Sequence, residues 1–277
     1  MIAVTSLTSY LYCPRKLFLE KVLGIAEGPK DVMILGSVKH RVFDAFNGEE
    51  ANVVCSIKKE ASHEEILDSY KSCFSNILRR AIMNSRNQFK MAGLSPVDSF
   101  NEFLPFFIRE AESRALFVHD FMKKHKLHGE DLWNKLSPKI KSEYKLVSET
   151  LGISGKIDRI EIYDGSLVPV ELKSGLPPKE GAWESHKVQL AAYALLLEDN
   201  FETNIPEGFV YYVDSGKRVS VFINPFLKDQ VKELAKDVRA LLVSTTPPAI
   251  AENRNKCASC SLREKCHGLV TEQKQNI

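Results

Sequence analysis

Two short runs of β-forming residues, 153–163 and 167–173, follow one another across an Asp164-Gly165 turn, and each carries charge in the middle of otherwise apolar sequence. The first holds Asp158, three residues after Gly155. The second ends in Glu171, Leu172 and Lys173, with Gly175 just beyond. Side chains alternate along a strand, so Glu171 and Lys173 project from one face. The chain must therefore bring two acids and a lysine together on consecutive strands of a sheet.

That combination suits hydrolysis of a phosphodiester. The reaction calls for a divalent cation that polarises the phosphate and lowers the pKa of an attacking water. Mg²⁺ or Mn²⁺ takes carboxylate oxygens, which Asp158 and Glu171 supply. A lysine beside the cation orients the water or stabilises charge on the pentavalent phosphorus. The same residues also fit an exposed hairpin whose charges pair with one another. The apolar surroundings and the flanking glycines weigh against that alternative without removing it.

Around this pair the pattern is mixed. Residues 5–23 read as a short helical opening, and a second helix begins near Met33 with Val38, Val42, Phe43 and Phe46 on its apolar face. Ser62 and Glu65 form a capping-box pattern ahead of Ile66, Tyr70, Phe74, Ile77, Leu78 and Ala81. A further helical run spans about 98–126 and is expected to break at Pro105. Strands are expected at 144–150, 153–163 and 167–173, a helix at 189–198, a hairpin from 208–213 and 217–223, and a last helix at 225–243. The order fits a mixed α/β core, divided as an N-terminal helical segment (1–49), a helical insertion (50–140), the core (141–245) and a cysteine-bearing tail (246–277).

Cys257, Cys260 and Cys266 have ligand-like spacing in a polar tail, where burial alone would not account for three thiols, and Cys13 lies near the other end. Tetrathiolate sites hold zinc or an iron–sulfur cluster, and spacing does not separate the two. Cys55 and Cys73 read as small hydrophobes in or near helices. No apolar run approaches the roughly 20 residues of a membrane span and no export signal is visible, so a cytoplasmic location is expected. A net charge of +2 over 277 residues leaves any nucleic-acid contact to local basic groups, at Arg15-Lys16, Arg79-Arg80, 86–90, 123–126 or 263–265. Each of these also suits a solvated helix face.

Residues Gly155 to Asp158 and Glu171 to Lys173 resemble motifs of the PD-(D/E)XK nucleases, in particular the RecB-like branch. His40 stands where that branch places a metal-binding helical histidine, and Gln189 with Tyr193 matches its Gln-x-x-x-Tyr motif. One cysteine before the motifs and three after them, with the opening around Tyr12, Cys13, Pro14 and Arg15, is similar to the CRISPR-associated exonuclease family, the fourth of the Cas proteins, and to its longer archaeal relatives. The resemblance covers residues 1–47 and 140–270.

It implies a restriction-endonuclease-like α/β core with His40, Asp158, Glu171 and the Leu172 carbonyl as metal ligands. Asp158, Glu171 and Lys173 would be catalytic, and Gln189 and Tyr193 would meet DNA or brace the site. Glu149, on the preceding strand, is a weaker candidate and reads rather as an exposed strand residue. Cys13, Cys257, Cys260 and Cys266 would hold an iron–sulfur cluster, 4Fe–4S in preference to 2Fe–2S. The implied substrate is DNA, at single-stranded ends, and the implied partner is the CRISPR integrase. A RecB-like repair nuclease outside CRISPR and a non-catalytic DNA-binding scaffold are the competing readings.

Overall fold

The computed structural model describes residues 1–25 and 31–268. The chain opens with a two-residue strand β1 (Ile2–Ala3) and two short helices, α1 (Val4–Tyr12) and α2 (Pro14–Lys21), that meet at Cys13. Cys13 is extended, and its sulfur accepts the Lys16 amide as an N-cap ahead of Pro14, which suits the first helical position. Helix α3 (Asp31–Cys55) then runs unbroken through residues 49 and 50, where the sequence suggests a boundary.

Helices α4 (His63–Asn84), α5 (Arg86–Met91), α6 (Pro96–His125) and α7 (Gly129–Lys135) come next. The Ser62–Glu65 capping box forms as expected. The expected break at Pro105 does not occur, because α6 continues through it. Phe103, Phe106 and Phe107 are buried on either side, Phe106 and Phe107 against Phe43 and Phe107 also against Phe74. Each such ring contributes roughly 1.5–3 kcal/mol on burial, enough together to outweigh the ~3 kcal/mol cost of an internal proline.

The sheet comprises β2 (Lys139–Ser148), β3 (Ile153–Tyr163), β4 (Ser166–Lys173), β5 (Glu207–Tyr212) and β6 (Lys217–Phe222), together with β1. Its order is β1-β3-β4-β5-β6, with β2 antiparallel to β3 on the other side. Strand β2 starts at Lys139, five residues before the expected position, and stops at Ser148. Its charged first half is that of an edge strand, which hides the periodic signal. Helix α8 (Glu184–Phe201) crosses from β4 to the parallel β5 and begins five residues before the sequence suggests, because its first turn is polar. Helix α9 (Pro225–Leu242), capped by Asn224, and the single turn α10 (Arg254–Ala258) follow, and residues 263–268 are again helical.

Apolar residues collect on both sides of the sheet. On one side α8, buried at every residue from 188 to 197, packs with α1 and α9 over Ile153, Ile157 and Ile160. On the other, α3, α4, α6 and α7 pack over Val170, Leu172 and Val213. The helices between β1 and β2 thus share their core with the sheet.

The sheet departs from regular pairing at one place. Strands β3 and β4 pair from Tyr163↔Ser166 to Arg159↔Val170 and then part. Beyond that point β4 pairs with β5 alone, while the far end of β3 pairs with β1. Asp158, Glu171, Leu172 and Lys173 all lie at or past this fork.

A carboxylate cluster where two strands part

At the fork, the Asp158 carboxylate takes the place of a missing ladder bond. Its Oδ2 accepts the Leu172 amide at 2.9 Å, and its Oδ1 lies 3.5 Å from His40 Nδ1 on α3. The same imidazole nitrogen is 3.6 Å from Glu143 Oε1 on β2. The ligand atoms of His40, Glu143 and Asp158 all fall within 4.8 Å of one another, the one such group among the described residues.

Glu143 reaches this position through a left-handed backbone, φ 51°, in the gap of the β2–β3 register between Ser142↔Arg159 and Tyr144↔Ile157. That conformation is unusual for a non-glycine residue in a strand, and such strain concentrates at functional sites. The Glu143 carboxylate also pairs with Lys156.

Glu171 is 2% exposed. Its Oε1 meets Lys173 Nζ at 2.7 Å, whereas its Oε2 is buried with no partner. Lys173 Nζ in turn donates to Gln189 Oε1 at 2.8 Å, and Gln189 Nε2 donates to the Tyr193 hydroxyl at 2.9 Å. Gln189 and Tyr193 are four residues apart on α8 and buried, so the pair is a relay behind Lys173. Gly155 permits this arrangement: a Cβ there would sit 3.0–3.1 Å from Val4, Leu196 and the Tyr193 ring. These groups line a cleft of about 600 Å³ that also exposes Thr5, Lys145 and Ser174.

Burial sets the charge state of the two carboxylates at the base of the cleft. Burial pushes Asp158 up to about 6, against the pull of the Leu172 amide. Burial, followed by the nearby Asp158 charge, lifts Glu171 to about 8 even with Lys173 alongside. One imidazole nitrogen, several carboxylate oxygens and an orphaned carboxylate oxygen form a donor set that fits Mg²⁺ or Mn²⁺, and a cation there would relieve the repulsion.

The four cysteines Cys13, Cys257, Cys260 and Cys266 line one recess formed by the α1–α2 junction and the tail. Backbone and side chains hold the two ends together: the Tyr12 hydroxyl donates to the Lys256 carbonyl at 2.9 Å, and Lys256 Nζ to the Leu11 carbonyl at 3.3 Å. Arg15 is buried and donates to the Pro248 carbonyl at 2.6 Å and to Cys266 Sγ at 3.2 Å. This corrects its place among the basic groups open to phosphates. Cys55 and Cys73 lie apart from the recess, on α3 and α4, and burial beside Glu49 pushes the Cys73 thiol up to about 11. The last residues of the cysteine-bearing tail, 269–277, lie outside the described residues.

Sequence comparison matches residues 1–267 to the family described as "PD-(D/E)XK nuclease superfamily". The chain belongs to that superfamily. Among curated relatives of this nuclease chain, a "CRISPR-associated exonuclease Cas4/endonuclease Cas1 fusion" of Leptospira interrogans is 34% identical over 167 residues, 58% of this chain and 30% of the relative. A "CRISPR-associated exonuclease Cas4" of Thermoproteus tenax is 24% identical over 131 residues, 47% of this chain and 68% of the relative. The "DNA replication ATP-dependent helicase/nuclease JHS1" of Arabidopsis thaliana is 24% identical over 96% of this chain and 20% of its own length. The chain therefore spans less than a third of the first relative it matches.

Two features of this PD-(D/E)XK chain were not found from sequence. Glu143, not Glu149, supplies the β2 carboxylate; Glu149 is exposed in the turn after that strand. Lys39, next to His40 and 8% exposed, pairs with Asp214 in the β5–β6 turn, and Asp214 Oδ2 accepts the Gly175 amide at 2.7 Å. That contact ties the helix of His40 to the loop after Lys173. Among the described residues, no helix is long and apolar enough to cross a membrane.

Proposed function

We propose that this chain is a divalent-cation-dependent deoxyribonuclease acting on single-stranded DNA ends. The observation that carries the proposal is the convergence of His40, Glu143 and Asp158 at the fork between β3 and β4, next to a buried Glu171 oxygen with no partner. In this reading His40, Glu143, Asp158, Glu171 and the Leu172 carbonyl hold the cation. When bound, it polarises the scissile phosphate and makes water a nucleophile near neutral pH.

Lys173 Nζ, fixed by Glu171 and Gln189, offers a second positive charge to the phosphate. Gln189 and Tyr193 act as positioning residues for that lysine, which their burial favours over direct contact with a base.

The cysteine recess is proposed to hold an iron–sulfur cluster. The four thiols line one recess, as a tetrathiolate centre requires, and the resemblance of the cysteine arrangement favours an iron–sulfur cluster over zinc there. The matches to Cas4 proteins, one fused to a Cas1 endonuclease, support a cytoplasmic role in preparing DNA fragments for insertion into CRISPR arrays beside the integrase. The match to a helicase/nuclease over 96% of this chain favours a second reading, a repair or replication nuclease with the same chemistry. Genomic neighbours separate the two.

Anaerobic purification with iron and sulfide analysis, coupled to cleavage assays on single-stranded DNA with and without Mn²⁺, tests the proposal. The expected result is a brown protein whose cleavage requires Mn²⁺ and is lost in Asp158→Asn. Cleavage that persists in excess chelator overturns the active-site assignment, and stoichiometric zinc without iron overturns the cluster.

A further inference from the structure

The loop from 174 to 183, which joins Lys173 to α8, ends in an exposed indole. Trp183 is 51% exposed and Leu176 is 78% exposed, although most large apolar side chains of the chain are packed away. The indole is nevertheless fixed. Its Nε1 donates to the Leu176 carbonyl at 3.2 Å, and the Trp183 amide donates to the Tyr212 hydroxyl at 3.3 Å. Tyr212 is fully buried, shares that hydroxyl with His186 at 3.0 Å, and pairs with Lys173 across β4 and β5. The ring is thus tied through one buried tyrosine to the strand position of Lys173, and Pro177 and Pro178 further limit the loop.

We propose that Trp183 is a stacking platform for an unpaired base of the DNA strand whose backbone enters the cleft. This rests on the nuclease reading of that cleft and adds to it the element that selects single strands. A flat aromatic face held in place stacks any base with little loss of freedom, whereas bases within a duplex already stack on their neighbours.

The sequence contains two tryptophans, so Trp133→Phe leaves Trp183 as the sole indole reporter. Trp133 lies on α7 beneath Lys139, away from the loop. Titrating this variant with oligothymidylate in chelator, where cleavage is blocked, is expected to quench its emission saturably, and a blunt duplex of equal length is not. With Mn²⁺, Trp183→Ala is expected to raise KM for single-stranded DNA roughly 5- to 100-fold, the loss of one stacked base, with kcat within about twofold. Trp183→Phe, which keeps a ring but not the Nε1 bond, is expected to retain most of the wild-type KM. Unchanged emission at saturating oligothymidylate, equal quenching by the duplex, or an unchanged KM in Trp183→Ala overturns the platform while cleavage by the wild type still stands. Quenching without any Mn²⁺-dependent cleavage supports the platform and overturns the nuclease reading instead.

Discussion

Replacing Glu171 by glutamine removes a charge that the cation-free fold holds at a cost. Glutamate ordinarily titrates near 4.5, and burial beside Asp158 lifts Glu171 to about 8. The folded state therefore binds this proton more tightly than the unfolded state, so stability is greatest below about pH 4.5. It falls as the pH climbs through the interval and levels off above about 8. At about 1.4 kcal/mol per unit, the loss between roughly pH 5 and pH 8 comes to about 3–4 kcal/mol. For a chain of this size that corresponds to roughly 6–16 °C in Tm. Glutamine keeps the shape and has no charge to develop. Melting wild type and Glu171→Gln in chelator from pH 5 to pH 8 should show near-equal Tm at the acid end and a more stable variant at the alkaline end. Adding Mn²⁺ at pH 8 should raise the Tm of the wild type more than that of the variant, since in the proposed site the cation binds the ionised carboxylate. Parallel pH profiles for the two proteins would refute the claim that burial beside Asp158 outweighs Lys173 in setting this carboxylate's titration.

Glu143→Gln should weaken Mn²⁺ binding, measured by calorimetry, by about tenfold or more while changing Tm in chelator little, because it removes a ligand but no core packing. Under the proposed cluster assignment, Cys260→Ser should lose iron, visible absorption and thermal stability together, since a centre held by the four thiols would close a loop of nearly the whole chain. Asp214→Asn should destabilise the fold by about 1–3 kcal/mol by urea unfolding, because it leaves the buried Lys39 ammonium without its charged partner. Its cost should shrink in Lys39→Met, a coupling that a double-mutant cycle reads directly.

The carboxylate strands, the α8 helix and the capping box were legible because each is a local pattern: alternation, helical spacing, a cap three residues from its partner. Asp158, Glu171 and Lys173 could be singled out for the same reason, whereas His40, Gln189 and Tyr193 rested on the family resemblance; the fold brings all six together. What sequence did not reveal depends on contact between distant segments. Glu143 sits in a polar strand edge with no apolar rhythm, and only its left-handed backbone and its distance to His40 mark it. Pro105 reads as a breaker until the phenylalanines around it find Phe43 and Phe74. Arg15 reads as surface charge until the tail folds over it.

The hydrogen bond from the Leu172 amide to Asp158 bears on how loss-of-function variants of this chain should be chosen. The customary alanine would delete two things at once: a ligand, and the acceptor that closes the sheet where β3 and β4 separate. The orphaned amide would cost about 1–3 kcal/mol, and the strand bearing Glu171 and Lys173 would be free to shift. An inactive Asp158→Ala protein would then say little about chemistry, since a misplaced Lys173 produces the same silence. Asparagine retains an oxygen for the amide and gives up only the charge. At this position the informative knockout is the isosteric one, and a complementation experiment built on alanine would confuse a broken hinge with a missing ligand.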